Sequence, residues 1–213
     1  MASEYKPIYS VKLWTSSHGM PRHHLPQSFN EIYKANPFIE KPIINAKPGR
    51  FINENMIDEF KKDFETIPFS RPQINVTCFG DNDIRSNAFK GGFFLYKFTK
   101  EMIDLHKDSK NPLLVLGVMP SPATFYQTHA LSEYSDDLIQ KYILKFHENN
   151  TCPHLSFATT AEFFSDEEGF LLNKIYFEND QIHLNKTGAD QFARNILEIS
   201  TILAQICQEK EKG

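Results

Sequence analysis

Cysteine is scarce in this chain. The three present, Cys78, Cys152 and Cys207, are odd in number and widely spaced, which excludes a disulfide framework. No C-x-x-C pair occurs, so a zinc knuckle or ribbon is excluded too. Long apolar runs are missing. No segment approaches the length of a membrane span, and Met1 to Pro7 is polar where a secretory leader carries an apolar stretch. A cytoplasmic, reducing location with no membrane partner is therefore expected. An excess of either charge is missing as well. Lys and Arg number 23 against 27 Asp and Glu, a net charge of −4. A chain-wide attraction to nucleic acid is not expected from that balance, which leaves only a local basic patch open. There is no internal repeat and no low-complexity tract.

What is present suits one domain. The chain has 213 residues, 40% of them hydrophobic, enough for a continuous core. The expected limits are a flexible N-terminus over 1–7, the domain over 8–207 and a charged tail over 208–213.

Hydrophobic periodicity switches repeatedly between strand and helix. Ile8 to Trp14, Lys41 to Ala46, Gln73 to Phe79, Leu113 to Val118 and Leu155 to Ala158 read as five strands. Between them Asn53 caps a helix with Met56, Ile57, Phe60 and Phe64 on one face. Phe93 to Lys107 presents Phe94, Phe98, Met102 and Leu105, and Leu131 to Glu148 presents Leu138, Ile139, Tyr142 and Phe146. A last helix, capped by Asn185 or Thr187, repeats Phe192, Ile196, Ile199 and Leu203. Phe29 to Lys34 forms a short helix in the Pro-rich link between the first two strands. This alternation predicts an α/β fold, a three-layer α/β/α sandwich around a five-stranded, mostly parallel, flavodoxin-like sheet.

Parallel sheets of this kind bind ligands beyond the carboxyl ends of their strands. Thr15-Ser16-Ser17-His18 follows the first strand, Pro48-Gly49 the second, and Gly80-Asp81-Asn82-Asp83 the third. Asp180 and His183 lie between the fifth strand and the last helix. An acid three residues before a histidine can orient the imidazole and stabilise its protonated form. Ser17 is the matching nucleophile, and Ser, Asp, His is one of the chain orders in which this chemistry recurs.

These blocks, in this order, resemble the SGNH hydrolase superfamily, also called GDSL esterases. The resemblance implies a serine hydrolase that cleaves a small carboxylic ester, acetyl or short acyl, without a cofactor. Ser17 is the implied nucleophile, His183 the base and Asp180 the orienting acid. The backbone N–H groups of Ser17 and Gly49 and the side-chain amide of Asn82 are the implied oxyanion donors. The G-x-N-D match at Gly80 to Asp83 and the run His183-Leu184-Asn185-x-x-Gly188 are the specific blocks. The first block departs from the pattern, reading Thr15-Ser16-Ser17 in place of Gly-Asp-Ser, while His18 agrees with members that read Gly-Asp-Ser-His. That departure motivates a second expectation, a binding module for RNA or a protein partner on the same scaffold.

The roles also follow from elementary chemistry. A serine hydroxyl needs an adjacent base. Histidine exchanges protons near neutral pH, and the tetrahedral oxyanion needs preorganised donors. Singly, each residue has a plainer reading: a capping serine, a turn glycine, turn residues at Asn82 and Asp83, a capping Asp180. Only the ordered set distinguishes the two. His18, His23 and His24 form a local histidine group, but their spacing fits no standard metal set and no metal is expected.

Overall fold

A computed structural model describes residues 9–36, 39–65, 73–86, 88–107, 111–123, 125–148 and 154–211. Among the described residues there are five strands: β1 (Ser10–Thr15), β2 (Ile43–Ala46), β3 (Gln73–Cys78), β4 (Leu113–Leu116) and β5 (Leu155–Ala158). They form one sheet in the order β2-β1-β3-β4-β5, and all four pairings are parallel. The sheet is thus fully parallel rather than mostly so. Its doubly wound order reverses direction between β1 and β3, which opens a crevice at the carboxyl ends of those two strands. Every residue of β3 and β4 is buried, whereas β2 and β5 are partly exposed edges. Apolar runs belong in the centre, where both faces are covered.

Among the described residues, seven α-helices flank the sheet: α1 (Leu25–Ile32), α2 (Glu54–Glu65), α3 (Asp81–Ser86), α4 (Ala88–His106), α5 (Phe125–Glu148), α6 (Asn173–Tyr176) and α7 (Lys186–Glu211). Side chains alternate across each strand, so the sheet divides two cores. Val11, Leu13, Ile74, Val76, Leu114 and Leu116 face α1 and α7, meeting Leu25, Phe29, Phe192 and Ile196. Trp14, Leu113, Val115 and Leu155 face α2, α4 and α5, meeting Ile57, Phe60, Met102, Ile103 and Ile139. Each fully buried apolar side chain of this size contributes about 1.5–3 kcal/mol.

Two helix starts follow from their caps. Asn53 Oδ1 accepts the N–H of Met56 at 3.0 Å, and Asn185 Oδ1 accepts that of Gly188 at 2.9 Å. Asn185, not Thr187, is therefore the cap of α7. The stripe on α4 is rotated from its sequence reading. Leu95, Phe98, Met102 and Ile103 are buried, while Phe94 is 40% exposed. Leu95 points inward because it packs beside Gly80, within reach of any Cβ that residue might carry. The side chain of Phe64 lies outside the described residues, as do Cys152 and residues 1–7. Helix α7 continues to Glu211, past residue 207 where the sequence reading ends the domain. Among the described residues, no helix is long and apolar enough to cross a membrane.

Candidate active site

The chain leaves β1 through Ser16 and enters a single 3-10 turn over Ser17–Gly19. That turn sets the Ser17 hydroxyl above the crevice. His183 arrives from the far end of the sequence, on a loop that precedes α7. A one-pair antiparallel bridge between Phe177 and Leu184 closes the loop, reinforced by Glu178 N–H donating to His183 O at 2.8 Å. Within it Gln181 adopts φ 54°, a left-handed conformation unusual for a side-chain-bearing residue. Ala123 N–H and Ser121 Oγ both donate to Gln181 O, at 3.2 and 3.3 Å. The segment after β4 thereby holds the strained peptide in place, as strain at such sites requires.

The result is a continuous hydrogen-bonded line. Ser17 Oγ lies 3.0 Å from His183 Nε2, and His183 Nδ1 lies 2.7 Å from Asp180 Oδ2. An ionised carboxylate only accepts, so the ring proton sits on Nδ1 and Nε2 accepts from the serine. Asp180 is ionised. Partial burial pushes its pKa up, but the His183 ring N–H and the backbone N–H groups of His183 and Ile182 outweigh that and hold it at about 2. Its Oδ1 accepts those two backbone groups at 2.9 and 2.8 Å, which fixes the carboxylate before the imidazole meets it.

The remaining two predicted residues follow β2 and β3, the strands that flank β1 on either side. Gly49 occupies the turn after β2 at φ 59°, and the space where a Cβ would stand is open within 4 Å. Glycine there answers to the left-handed backbone conformation. Asn82 opens α3, and its side-chain amide donates to Arg50 O at 3.1 Å. That bond uses one of two amide protons. Next to it, both oxygens of Asp83 accept Ile52 N–H, at 3.1 and 3.2 Å. The loop after β3 therefore clamps the loop after β2. Burial raises the Asp83 pKa to about 6, against the opposing Ile52 bond.

Arg50 completes the clamp. It is 7% exposed and donates to Thr15 O at 3.3 Å, Asn45 O at 3.0 Å and Asn45 Oδ1 at 2.8 Å. Its guanidinium lies 5.6 Å from the Trp14 ring centre and 5.9 Å from that of Phe79.

No family model matches this chain, and no curated protein matches it by sequence. Solved structures do. A member of the lipolytic protein G-D-S-L family from Veillonella parvula superposes with a TM-score of 0.62 at 18% identity, covering 91% of this chain and 98% of its own. The family 3 carbohydrate esterase of Clostridium thermocellum gives 0.64 at 14% identity, over 93% and 98%. The C-terminal catalytic domain of Streptococcus pneumoniae peptidoglycan O-acetyltransferase A, solved with a methylsulfonyl adduct, gives 0.54 at 16% identity, over 94% of each chain.

This chain has the SGNH hydrolase fold.

Against that fold, the altered first block acquires a structural account. Ser16, where the pattern carries Asp, is fully buried, and its hydroxyl donates to Asp81 Oδ2 at 3.3 Å. A carboxylate is present beside the turn, supplied from the end of β3. His18 Nε2 stands 4.0 Å from the same oxygen, and burial lowers the His18 pKa to about 4, so the ring is neutral. Gly80 allows this approach. It has φ 101°, and a Cβ there would come within 2.7 Å of Leu95.

The three histidines grouped in sequence take different partners. His18 turns inward to Asp81, His23 lies on the His183 ring, and His24 Nε2 donates to Glu178 Oε1 at 3.1 Å. Among the described residues, no three His, Cys, Asp or Glu side chains are arranged to hold a metal ion. Sequence reasoning missed Arg50, Ser16, Asp81 and Gln181 as parts of the site. Their only signal was adjacency, since each stands next to a residue the pattern did single out.

Proposed function

We propose that this chain is a serine hydrolase that cleaves small carboxylic esters, acetyl or short acyl. The observation that carries the reading is the line Ser17–His183–Asp180, drawn from opposite ends of the sequence at 3.0 and 2.7 Å. The names of the fold neighbours, lipolytic, carbohydrate-esterase and O-acetyltransferase proteins, support that choice of substrate class.

In this mechanism Ser17 Oγ attacks the ester carbonyl while His183 Nε2 takes its proton. Asp180 stabilises the imidazolium through Nδ1. The tetrahedral oxyanion is met by the N–H of Ser17, the N–H of Gly49 and the second amide proton of Asn82. His183 then protonates the leaving alkoxide, and an acyl group stays on Ser17. Water, deprotonated by His183 in turn, attacks that acyl-enzyme and releases the acid. The clamp formed by Arg50, Asn82 and Asp83 serves this chemistry by fixing the two donor loops relative to each other.

The test is chemical. A fluorophosphonate probe should label Ser17, as read by peptide mass spectrometry, and p-nitrophenyl acetate should be hydrolysed. Ser17→Ala should abolish both. Asn82→Ala should lower kcat by about 10²–10³-fold, the usual effect of removing one oxyanion donor. Labelling of a different serine, or equal rates for wild type and Ser17→Ala, would overturn the assignment.

A further inference from the structure

The reaction above uses one imidazole, yet a second lies flat against it. The rings of His23 and His183 have centroids 4.0 Å apart and planes inclined by only 13°. The segment that carries His23 begins at the nucleophile itself. Met20 N–H donates to Ser17 O at 3.0 Å and His23 N–H to Met20 O at 2.9 Å, so two successive turns fold the chain back over the C-terminal loop. The following residue fastens it there. His24 bonds Glu178, whose own N–H donates to His183 O. The stack is thus tied to both residues whose encounter makes the site. His18 bounds the His183 ring on a second side, tilted by 55° at 5.3 Å.

The state of His23 is also set. Arg22 Nε–H donates to His23 Nε2 at 3.2 Å, which occupies that lone pair and leaves the ring proton on Nδ1. The groups facing His23 are Arg22 and His24 on its own segment, His18 on the turn after β1, and His183 and Asp180 on the loop before α7. Burial lowers its pKa, and His183 and Arg22 lower it further against the opposing charge of Asp180. A neutral ring stacked on an imidazole that becomes a cation gains attraction as the proton arrives, through the charge–quadrupole interaction. A parallel ring at this distance also blocks rotation of His183 out of the plane shared with Ser17 and Asp180.

We propose that His23 is a positioning residue, an aromatic platform that holds the His183 ring in its working plane. This rests on the hydrolase reading. It predicts that the platform, and not the imidazole chemistry of His23, is what matters.

The experiment compares wild type, His23→Ala and His23→Phe with p-nitrophenyl acetate across pH, alongside NMR of the His183 ring protons. His23→Ala should lose kcat about tenfold with KM unchanged, the kinetic equivalent of one lost cation–π contact. His23→Phe should recover most of that loss. The acid limb of wild type should steepen beyond first order in proton concentration as His23 takes a proton, and that of His23→Phe should stay first order throughout. The upfield ring-current shift of His183 should persist in His23→Phe and vanish in His23→Ala. Equal kcat in all three proteins, or a loss carried by KM alone, would overturn the inference while leaving the hydrolase reading intact. Absence of turnover and of Ser17 labelling in wild type would remove the hydrolase reading instead. The NMR shifts then decide the stack by themselves, and identical His183 shifts in all three proteins would end it.

Discussion

Ser16 shows how much one side chain can carry. Its hydroxyl is completely enclosed, and its acceptor, Asp81, is 6% exposed. Ser16→Ala leaves a buried carboxylate short of a donor and should cost about 1–3 kcal/mol. Ser16→Asp restores the residue found in the family pattern, yet here it sets a second carboxylate against Asp81. Like charges in a dry site repel strongly. Urea denaturation should therefore rank wild type above Ser16→Ala and Ser16→Asp lowest. An Asp variant as stable as the Ala variant would refute the account of the first block given above.

At the scale of elements, the site is an agreement among strand ends. Arg50 joins the ends of β1 and β2, and Asp83 joins the loop after β2 to that after β3. Arg50→Ala strands three acceptors and should lower stability by about 2–4 kcal/mol and kcat with it. Arg50→Lys should recover only part of either, because an ammonium lacks the planar fork. Denaturation and steady-state kinetics on the same samples check both. The elements themselves were legible because their periods differ. Gln73 to Cys78 alternates and is bounded by a glycine, and Leu155 to Ala158 matches its predicted bounds. Phe93 to Lys107 misled by one position because three phenylalanines in six residues, from Phe89 to Phe94, blur a helical stripe. The meeting of Ser17, Asp180 and His183 was legible because the proposed chemistry prescribes residue types and order. The platform at His23 was not, since no pattern announces which ring a loop histidine will cover. Arg50 was hidden for a similar reason: its partners are mostly backbone carbonyls, which every sequence has.

At the scale of the molecule, acid should be the weak side of stability. His106 accepts from Asn75 Nδ2 at 3.1 Å and donates from Nδ1 to Met102 O at 2.8 Å. Burial lowers its pKa to about 4, as it does for His18. Each therefore binds a proton more readily when unfolded than when folded. Their contribution to stability is complete above about pH 6.5, the value for free histidine, and is lost as pH falls toward 4. Asp83 works the other way. Its raised pKa means the folded state takes a proton first, so stability is regained as pH falls from about 6 to 4. Two histidines against one carboxylate leave a net loss. The thermal midpoint should drop between pH 6.5 and 4.5, and Asp83→Asn should steepen that drop. A flat profile would contradict the buried neutral state of both imidazoles.

One further consequence comes from where the reacting groups lie along the polypeptide. The hydroxyl and its base are separated by 166 positions, and the base belongs to the loop that launches the final helix. A chain emerging from the ribosome can complete β1, and with it the serine, long before it possesses any means of activating it. Under the proposed reaction, ester turnover reports that synthesis has passed the loop before α7. A nascent polypeptide stalled before position 180 should be chemically silent, however much of its sheet has already formed.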